Sequence, residues 1–409
     1  MENKDRKIVF FDIDGTLVDG PTHQVPQSAV EAIRKLRENG HLAFINTGRT
    51  LVSIEPRIRE IGFDGLVCGC GTHIYYEGET LFSHSILHEK CTEIVYELRR
   101  LGILSDKDYT CTCYLDQVGN KPAEGEVLSW AESSAVVYAN SVLGARCNRN
   151  SGMIELMGSI AGFVPEFGLL LDENRKATWV VEVKCSKKPE AQLLGSAIGM
   201  KVMEEVPYVK GLDKWLGTTL DEEACTYLKD FGAATASNGA VGLFHIENLT
   251  PEAKQQGEAL IKEGAQVYVI DDAELQRVQD SYPVIWKDKN AKPELCFVGC
   301  PHMTLRQMQD WADAIGERLR ANSMDKISVP TVFTASPAVI RELNRGIYGA
   351  KLASYGVIVS YICPLMYMNN PLSKSMPVIT CSNKLRTYTS AKFYSEDEIV
   401  GIITGKETK

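Results

Sequence analysis

Apolar residues fall in short blocks whose period switches between two and 3.6 along the chain, so strand-like and helix-like stretches alternate. An apolar run at residues 7–11 precedes a helical pattern at 28–39 that stops at Gly40. A strand pattern at 41–45 and a further helix start, after Asn46-Thr47-Gly48-Arg49, follow. Ile94, Val95, Leu98 and Leu101 form one face of a helix predicted over 87–101, which Gly102 would cap. Residues 105–108 are polar and read as a connector. The expected boundary therefore lies between a segment 1–104 and a segment 105–409.

Beyond that boundary the pattern predicts strands at 179–183, 241–246, 267–270, 295–299, 327–333 and 357–362. Helices at 190–200, 251–263, 305–319 and 338–343 interleave with them. Such alternation implies an α/β fold with largely parallel sheets. One stretch, 127–146, follows neither amphipathic pattern. Between Glu126 and Arg146 its only charged residue is Glu132, yet Ser133, Ser134, Tyr138, Asn140 and Ser141 are scattered among alanines and valines. At 100° per residue these polar groups do not collect on one face, so the spacing predicts a helix buried nearly all round. Buried polar groups need partners, so they either satisfy one another or line a site.

The 409 residues leave room for two or three domains, and 44% apolar with 24% charged residues is ordinary for a globular chain. The balance of 44 basic against 53 acidic residues gives −9, and no basic tract occurs, which excludes nucleic acid as the expected partner. The start is charged and lacks a signal-peptide core. The longest apolar run, 356–368, is too short for a membrane span and is broken by Pro364. A cytoplasmic location is expected, where twelve cysteines are free thiols rather than a disulfide framework, most of them small core residues.

Chemistry is suggested first at the head. Asp12-Ile-Asp14-Gly15-Thr16 directly after a strand can hold Mg²⁺ and present a nucleophilic carboxylate, and Thr47 at a helix start can bind phosphate. Over about the first 100 residues the sequence resembles the haloacid dehalogenase superfamily of phosphatases, in the branch with a cap domain. The resemblance implies a Rossmann-like segment with Asp12 as nucleophile, Asp14 as general acid/base and Thr47 as phosphate ligand. It departs from the family in lacking the later Gly-Asp-x-x-x-Asp motif that completes the metal shell.

In the body, ligands of parallel sheets gather beyond strand C-termini. Cys300-Pro301-His302 lies between a strand end and a helix whose start, Thr304 with Gln307, reads as a capping box. Cys363-Pro364 follows another strand, and Cys111-Thr112-Cys113 precedes the buried stretch. A thiol at a helix start is favoured as thiolate, although a single cysteine is more often inert. His302 suits proton transfer to a leaving hydroxyl or, equally, a bond to backbone. Arg146 and Arg149 suit a carboxylate or phosphate clamp or a helix C-terminal charge. His245 and Glu247 read as structural.

From about residue 105 onward the sequence is identified as a member of the aconitase X family of dehydratases. It carries CTC leading to VGN, WAESSAVVYANSVLGARCNR, PEFGLLLDENRKA, GAVGLFHIENLTPEA, FVGCPHMTL, ICPLM and TCSNK in order. The resemblance implies layered aconitase-like α/β domains and dehydration of a small hydroxy acid such as cis-3-hydroxy-L-proline or mevalonate 5-phosphate. It also implies an iron or iron-sulfur centre on three cysteines: Cys300, Cys363 and one of Cys111 or Cys113, with Cys113 preferred by its distance to Gly119-Asn120. Glu132 and Ser133 would serve proton transfer or substrate contact, and Asn140, Ser382 and Lys384 substrate binding. The family's N-terminal substrate segment and its small swivelling domain are not found, so a small partner subunit is expected to complete the cleft. The readings left open are this hydro-lyase, a Mg²⁺-dependent phosphatase at Asp12 and Asp14, and an inactive fusion.

Overall fold

A computed structural model describes residues 6–18, 24–49, 51, 54–68, 73–76, 79–83, 110–368 and 375–405. The predicted helix at 87–101 and the connector at 105–108 lie outside these. The chain divides into two units, residues 1–106 with 151–160, and residues 107–150 with 161–409.

The first unit holds a sheet of β1 (Ile8–Phe11), β2 (Leu42–Asn46), β3 (Gly65–Cys68), β4 (His73–Tyr76) and β5 (Glu79–Ser83), in that order. The β1–β2 and β2–β3 pairs are parallel and the last two antiparallel. The helix Gln27–Glu38 buries Ile33 in a core with Ile13, Ala43, Ile45 and Ile58.

The second unit contains a minimal parallel pair, β6 (Val127–Leu128) with β7 (Arg146–Cys147), and two larger, wholly parallel sheets. One comprises β8 (Ala177–Val183), β9 (Pro207–Lys210), β10 (His245–Ile246) and β11 (Ile261–Ile270) in the order β10-β9-β8-β11. The other comprises β12 (Leu295–Met303), β13 (Thr331–Ala335), β14 (Val357–Ser360), β15 (Val378–Thr380) and β16 (Lys392–Phe393) in the order β14-β13-β12-β15-β16. Central β12 is buried at all nine residues, as expected of a strand covered on both faces. Among the described residues no helix is long and apolar enough to cross a membrane.

Several elements differ from the sequence expectation. The buried helix is only Ser133–Ser141, because β6 and β7 take up the flanking residues. The helix expected over 251–263 ends at Gln256, where Gly257 turns at φ +54° and a 3₁₀ turn leads into β11. Strand 241–246 shrinks to His245–Ile246, and strand 327–333 shifts to Thr331–Ala335. The strand expected to stop at Gly299 runs on through Cys300, Pro301 and His302 to Met303, with a register break after Val298 and a cis Cys300–Pro301 bond. Gly299 sits at φ +106°, and a Cβ there would lie 2.4 Å from the Thr334 carbonyl, so only glycine fits the break. The long helix Glu222–Gly239 was not anticipated. It packs on Ala191–Val202 through small residues, so closely that a Cβ on Gly239 would meet the Gly199 carbonyl at 1.9 Å.

Candidate active site

Eight of the nine residues of the helix Ser133–Ser141 are buried, and its polar groups divide by end. At the C-terminal end they satisfy one another. Asn140 donates to the Cys147 and Gly242 carbonyls (2.8 and 2.9 Å) and accepts from the Cys147 N–H (2.9 Å), and Ser141 Oγ accepts from the Phe244 N–H (2.9 Å). Arg175, 1% exposed, ties this end to Glu252 (2.6 Å), to Asn140 Oδ1 and to the carbonyls of Leu169, Asn140 and Ala145.

At the N-terminal end the polar groups open onto a site. Glu132 is the N-cap, its carboxylate accepting from the Ala135 N–H (2.8 Å) and Ser134 Oγ (2.7 Å). Against it lies Lys384, in the first turn of the helix Asn383–Tyr388. Its ammonium contacts Glu132 Oε1 and donates to Ser133 Oγ at 3.2 Å. Burial would raise the Glu132 pKa, but the Lys384 ammonium and the hydrogen bonds hold it below the usual carboxylate range. Burial would lower that of Lys384, but Glu132 and the thiols of Cys300 and Cys111 hold it above the usual lysine range. The pair is therefore ionised, with Lys384 at 10% and Glu132 at 35% side-chain exposure. Arg149 is an electrostatic neighbour of Glu132 whose pKa burial lowers, and it donates to the Ala236 carbonyl at 3.3 Å.

Cys300 is held by its backbone. Its carbonyl accepts from Ser382 Oγ and from Gln192 Nε2 (3.4 Å), and Gln192 in turn binds Asn383. Burial pushes the Cys300 thiol up to about 12, with Lys384 opposing and Cys363 reinforcing the shift. Cys111 Sγ accepts from the His302 N–H (3.2 Å) and is an electrostatic neighbour of Glu132, Lys384 and Cys300. Cys113 instead packs against the core of the β8–β11 sheet and neighbours Cys147 and Glu132. Cys363 precedes the short helix Pro364–Met368. His302 places Nδ1 2.8 Å from Thr110 Oγ1, and its carbonyl accepts from Lys229 Nζ (3.2 Å), which also binds Asp230 (2.6 Å). Burial, with Lys229 nearby, pulls His302 down to about 4, so it is neutral near pH 7.

Of the expected site residues, Glu132, Ser133, Lys384, Cys300 and His302 are thus joined by contacts or a short backbone span. Ser382 caps its helix through the Leu385 N–H (3.1 Å) and braces Cys300, so its hydroxyl is already engaged. Arg146 is spent on the Leu170 carbonyl (2.7 Å) and Asp172, and Asn140 on the bonds above. Both thus have these polar groups engaged within the protein. Thr110, Gln192, Lys229 and Arg175 were missed. A buried lysine or arginine inside an otherwise ordinary helix or loop carries no local signal in sequence.

Three cysteine thiols are the donor set of iron and iron-sulfur centres. Cys300 acts electrostatically on Cys111 and Cys363 on Cys300, and among the described residues Cys111 Sγ is engaged only by a backbone N–H, so the thiols present fit that chemistry. Among the described residues no three His, Cys, Asp or Glu side chains are already grouped as metal ligands.

In the first unit, Asp14 is ion-paired with Arg49 and Thr47 Oγ1 accepts from the Arg49 N–H (3.1 Å). Burial raises Asp12 above the usual carboxylate range, and the Asp14 charge adds to this.

Comparison with known proteins gives a consistent picture. The family model "Aconitase X first domain" matches residues 10–173 and "Aconitase X second domain" residues 177–280, together well over half of the chain. The chain is 36% identical over 253 residues to the phosphomevalonate dehydratase large subunit of Thermococcus kodakarensis, covering 61% of this chain and 59% of that protein. It is 30% identical over 328 residues to cis-3-hydroxy-L-proline dehydratase of Hypocrea jecorina, covering 76% and 51%. The matched stretch thus spans little more than half the length of these relatives. The crystal structure of Thermococcus kodakaraensis aconitase X in its holo form superposes with a TM-score of 0.64 at 26% identity, covering 99% of this chain and 89% of that one. Over 82 residues, 20% of this chain and 32% of the other, the chain is also 29% identical to YkrA of Bacillus subtilis, named as a phosphatase.

Proposed function

The chain belongs to the aconitase X family, and we propose that it is a hydro-lyase that removes water from a small hydroxy acid. The observation that carries this is the Glu132–Lys384 ion pair, set at two helix N-termini and beside the thiols of Cys111 and Cys300. Substrates of the two classes named for its relatives, a phosphorylated hydroxy acid and cis-3-hydroxy-L-proline, share an anionic carboxylate and a hydroxyl to be lost. Lys384 and Arg149 supply the cations for the anionic groups.

A substrate carboxylate that draws Lys384 toward itself removes the charge that keeps Glu132 acidic. Burial then raises the proton affinity of Glu132, making it a competent base when substrate is present. Glu132 takes the proton from the carbon next to the carboxylate, the C–O bond to the hydroxyl breaks and a C=C bond forms; the hydroxide takes one proton from solvent and leaves as water, and Glu132 returns its proton to solvent. Ser133, bonded to Lys384, keeps that ammonium oriented. His302 stays uncharged throughout the neutral range and serves as a hydrogen-bonding group rather than a cation. Cys111, Cys300 and Cys363 would hold an iron or iron-sulfur centre, with Cys111 taking the place expected of Cys113. When bound, such a centre supplies Lewis acidity to the departing hydroxyl.

A small partner subunit belongs to the same proposal. Beside Cys363 the side chains of Tyr361, Ile362, Met366 and Tyr367 are all exposed, an apolar surface of the kind that partners cover. The deciding experiment is Glu132→Gln in the chain co-produced with that partner. Turnover of phosphomevalonate and of cis-3-hydroxy-L-proline should fall about 10²- to 10⁴-fold with the melting temperature within a few degrees of wild type. Unfolding instead would leave Glu132 as a helix cap and nothing more.

A second reading concerns the first unit alone, where Asp12, Asp14 and Thr47 form a phosphatase-like cluster. Mg²⁺-dependent hydrolysis of p-nitrophenyl phosphate, lost in Asp12→Asn, would support it. The ion pair that Asp14 makes with Arg49 weighs against a bound cation there.

A further inference from the structure

His302 is 3% exposed, and its Nε2 has no hydrogen-bond partner among the described residues. Its other nitrogen, Nδ1, contacts Thr110 Oγ1 at 2.8 Å. Which nitrogen carries the proton is decided by the hydroxyl network behind it. Thr110 Oγ1 accepts from the Thr112 N–H (3.1 Å) and lies 3.0 Å from Thr112 Oγ1. Thr112 is fully buried, and Thr110 Oγ1 is the sole acceptor for its hydroxyl proton among the described residues.

A hydroxyl offers one proton and two lone pairs. If Thr112 donates its O–H as well as its N–H to Thr110, both lone pairs of Thr110 are filled. Thr110 then has only its own proton left to give, and His302 Nδ1 is there to accept it. The opposite arrangement, with Nδ1–H donating, would turn the Thr110 proton onto Thr112 and strand the buried Thr112 proton. Among the described residues, only the first arrangement satisfies every hydroxyl.

We propose that Thr110 is a positioning residue that fixes His302 as its Nε2–H tautomer, leaving that unpartnered N–H as the donor for an oxygen of the bound hydroxy acid. The proposal rests on the dehydratase reading for the identity of the acceptor, but the tautomer stands apart from it. The ring is suited to the task by its surroundings. Its backbone is pinned at the N–H by Cys111 Sγ and at the carbonyl by Lys229, so it is fixed from three directions while Nε2 is left unpartnered among the described residues. A fixed neutral donor stabilises developing negative charge on a leaving oxygen without any reorganisation.

The test is ¹⁵N-histidine NMR on the full chain prepared without added metal, with the His302 signals assigned by their loss in His302→Gln. The expected spectrum has a pyrrole-type Nε2 and a pyridine-type Nδ1, unchanged in Thr110→Ser and replaced by a mixed or reversed pattern in Thr110→Val. In the active assembly Thr110→Val should lose about 10- to 100-fold in kcat with KM within about twofold, and Thr110→Ser should recover most of it. A pyridine-type Nε2 in the wild type overturns the proposal outright. The expected spectrum with kcat unchanged in Thr110→Val overturns the catalytic role of Thr110 while leaving the dehydratase reading, which Glu132→Gln tests, untouched.

Discussion

Lys384 and Glu132 form an ion pair in which the ammonium is the buried partner and the carboxylate keeps about a third of its side chain exposed, so breaking it by halves has a moderate cost. Lys384→Met leaves a carboxylate that is still partly solvated and bonded to Ser134 and the Ala135 N–H, and should destabilise the second unit by about 1–2 kcal/mol in urea titrations. The double variant Glu132→Gln with Lys384→Met removes both charges and should recover most of that loss. A double variant no better than the single would mean that the lysine acts through packing alone. The cysteines make a second contrast. Cys111→Ser in anaerobically produced protein should reduce bound iron at least severalfold, whereas Cys113→Ser, set against Cys147 and the β8–β11 core, should leave it nearly unchanged. Iron lost equally from both would return Cys113 to the ligand set. Glu132 was legible in sequence because it is the one charge in an uncharged stretch, and Lys384 because it sits in TCSNK. Lys229, Arg175 and Thr110 were not, since only their distant partners distinguish them from surface residues.

The element that matters most, Ser133–Ser141, was recognised as buried but drawn too long. Its polar residues do both jobs that burial permits, pairing internally near Asn140 and opening to the site near Glu132. A second element-level feature lies where Ala191–Val202 begins. There a cavity of about 740 Å³ is lined by Glu190, Asp230, Asp310 and Glu396 among others. Burial, then the charge of Glu396, pushes the Glu190 carboxyl up to about 8; burial, then Asp230, pushes Glu396 to about 7. The native chain thus releases the Glu190 proton near pH 8 and the unfolded chain near the ordinary 4.5. Between those values the folded state binds more protons, so this group's contribution to stability falls as pH rises. Glu190→Gln should therefore raise the melting temperature relative to wild type by about 2–4 °C more at pH 8 than at pH 5. An advantage independent of pH would show that the carboxyl titrates normally. The helix Glu222–Gly239 escaped prediction for a related reason. Its glycine, alanine, serine and threonine positions give weak amphipathic contrast, although they permit its tight contact with Ala191–Val202.

For the whole molecule, the prediction concerns association. Tyr361→Asp with Met366→Asp should abolish co-purification with the proposed small partner while leaving the melting temperature of the chain alone within about 2 °C, because both side chains are exposed. Retained association would place the partner elsewhere. Local period and turn residues were enough to establish an α/β chain with parallel sheets, the capping box at Thr304 and Gln307, and the membership read from motif order. These depend on interactions within a few residues, or on a linear pattern that survives without a fold. Tertiary structure alone decided that β12 runs through Cys300 to Met303, that Cys111 rather than Cys113 meets His302, and that Arg146 is spent on Asp172. It also brought Lys384 to Glu132 across 252 residues of chain. Each is a choice between partners far apart in sequence, settled by which buried polar groups can satisfy one another once the sheets are packed.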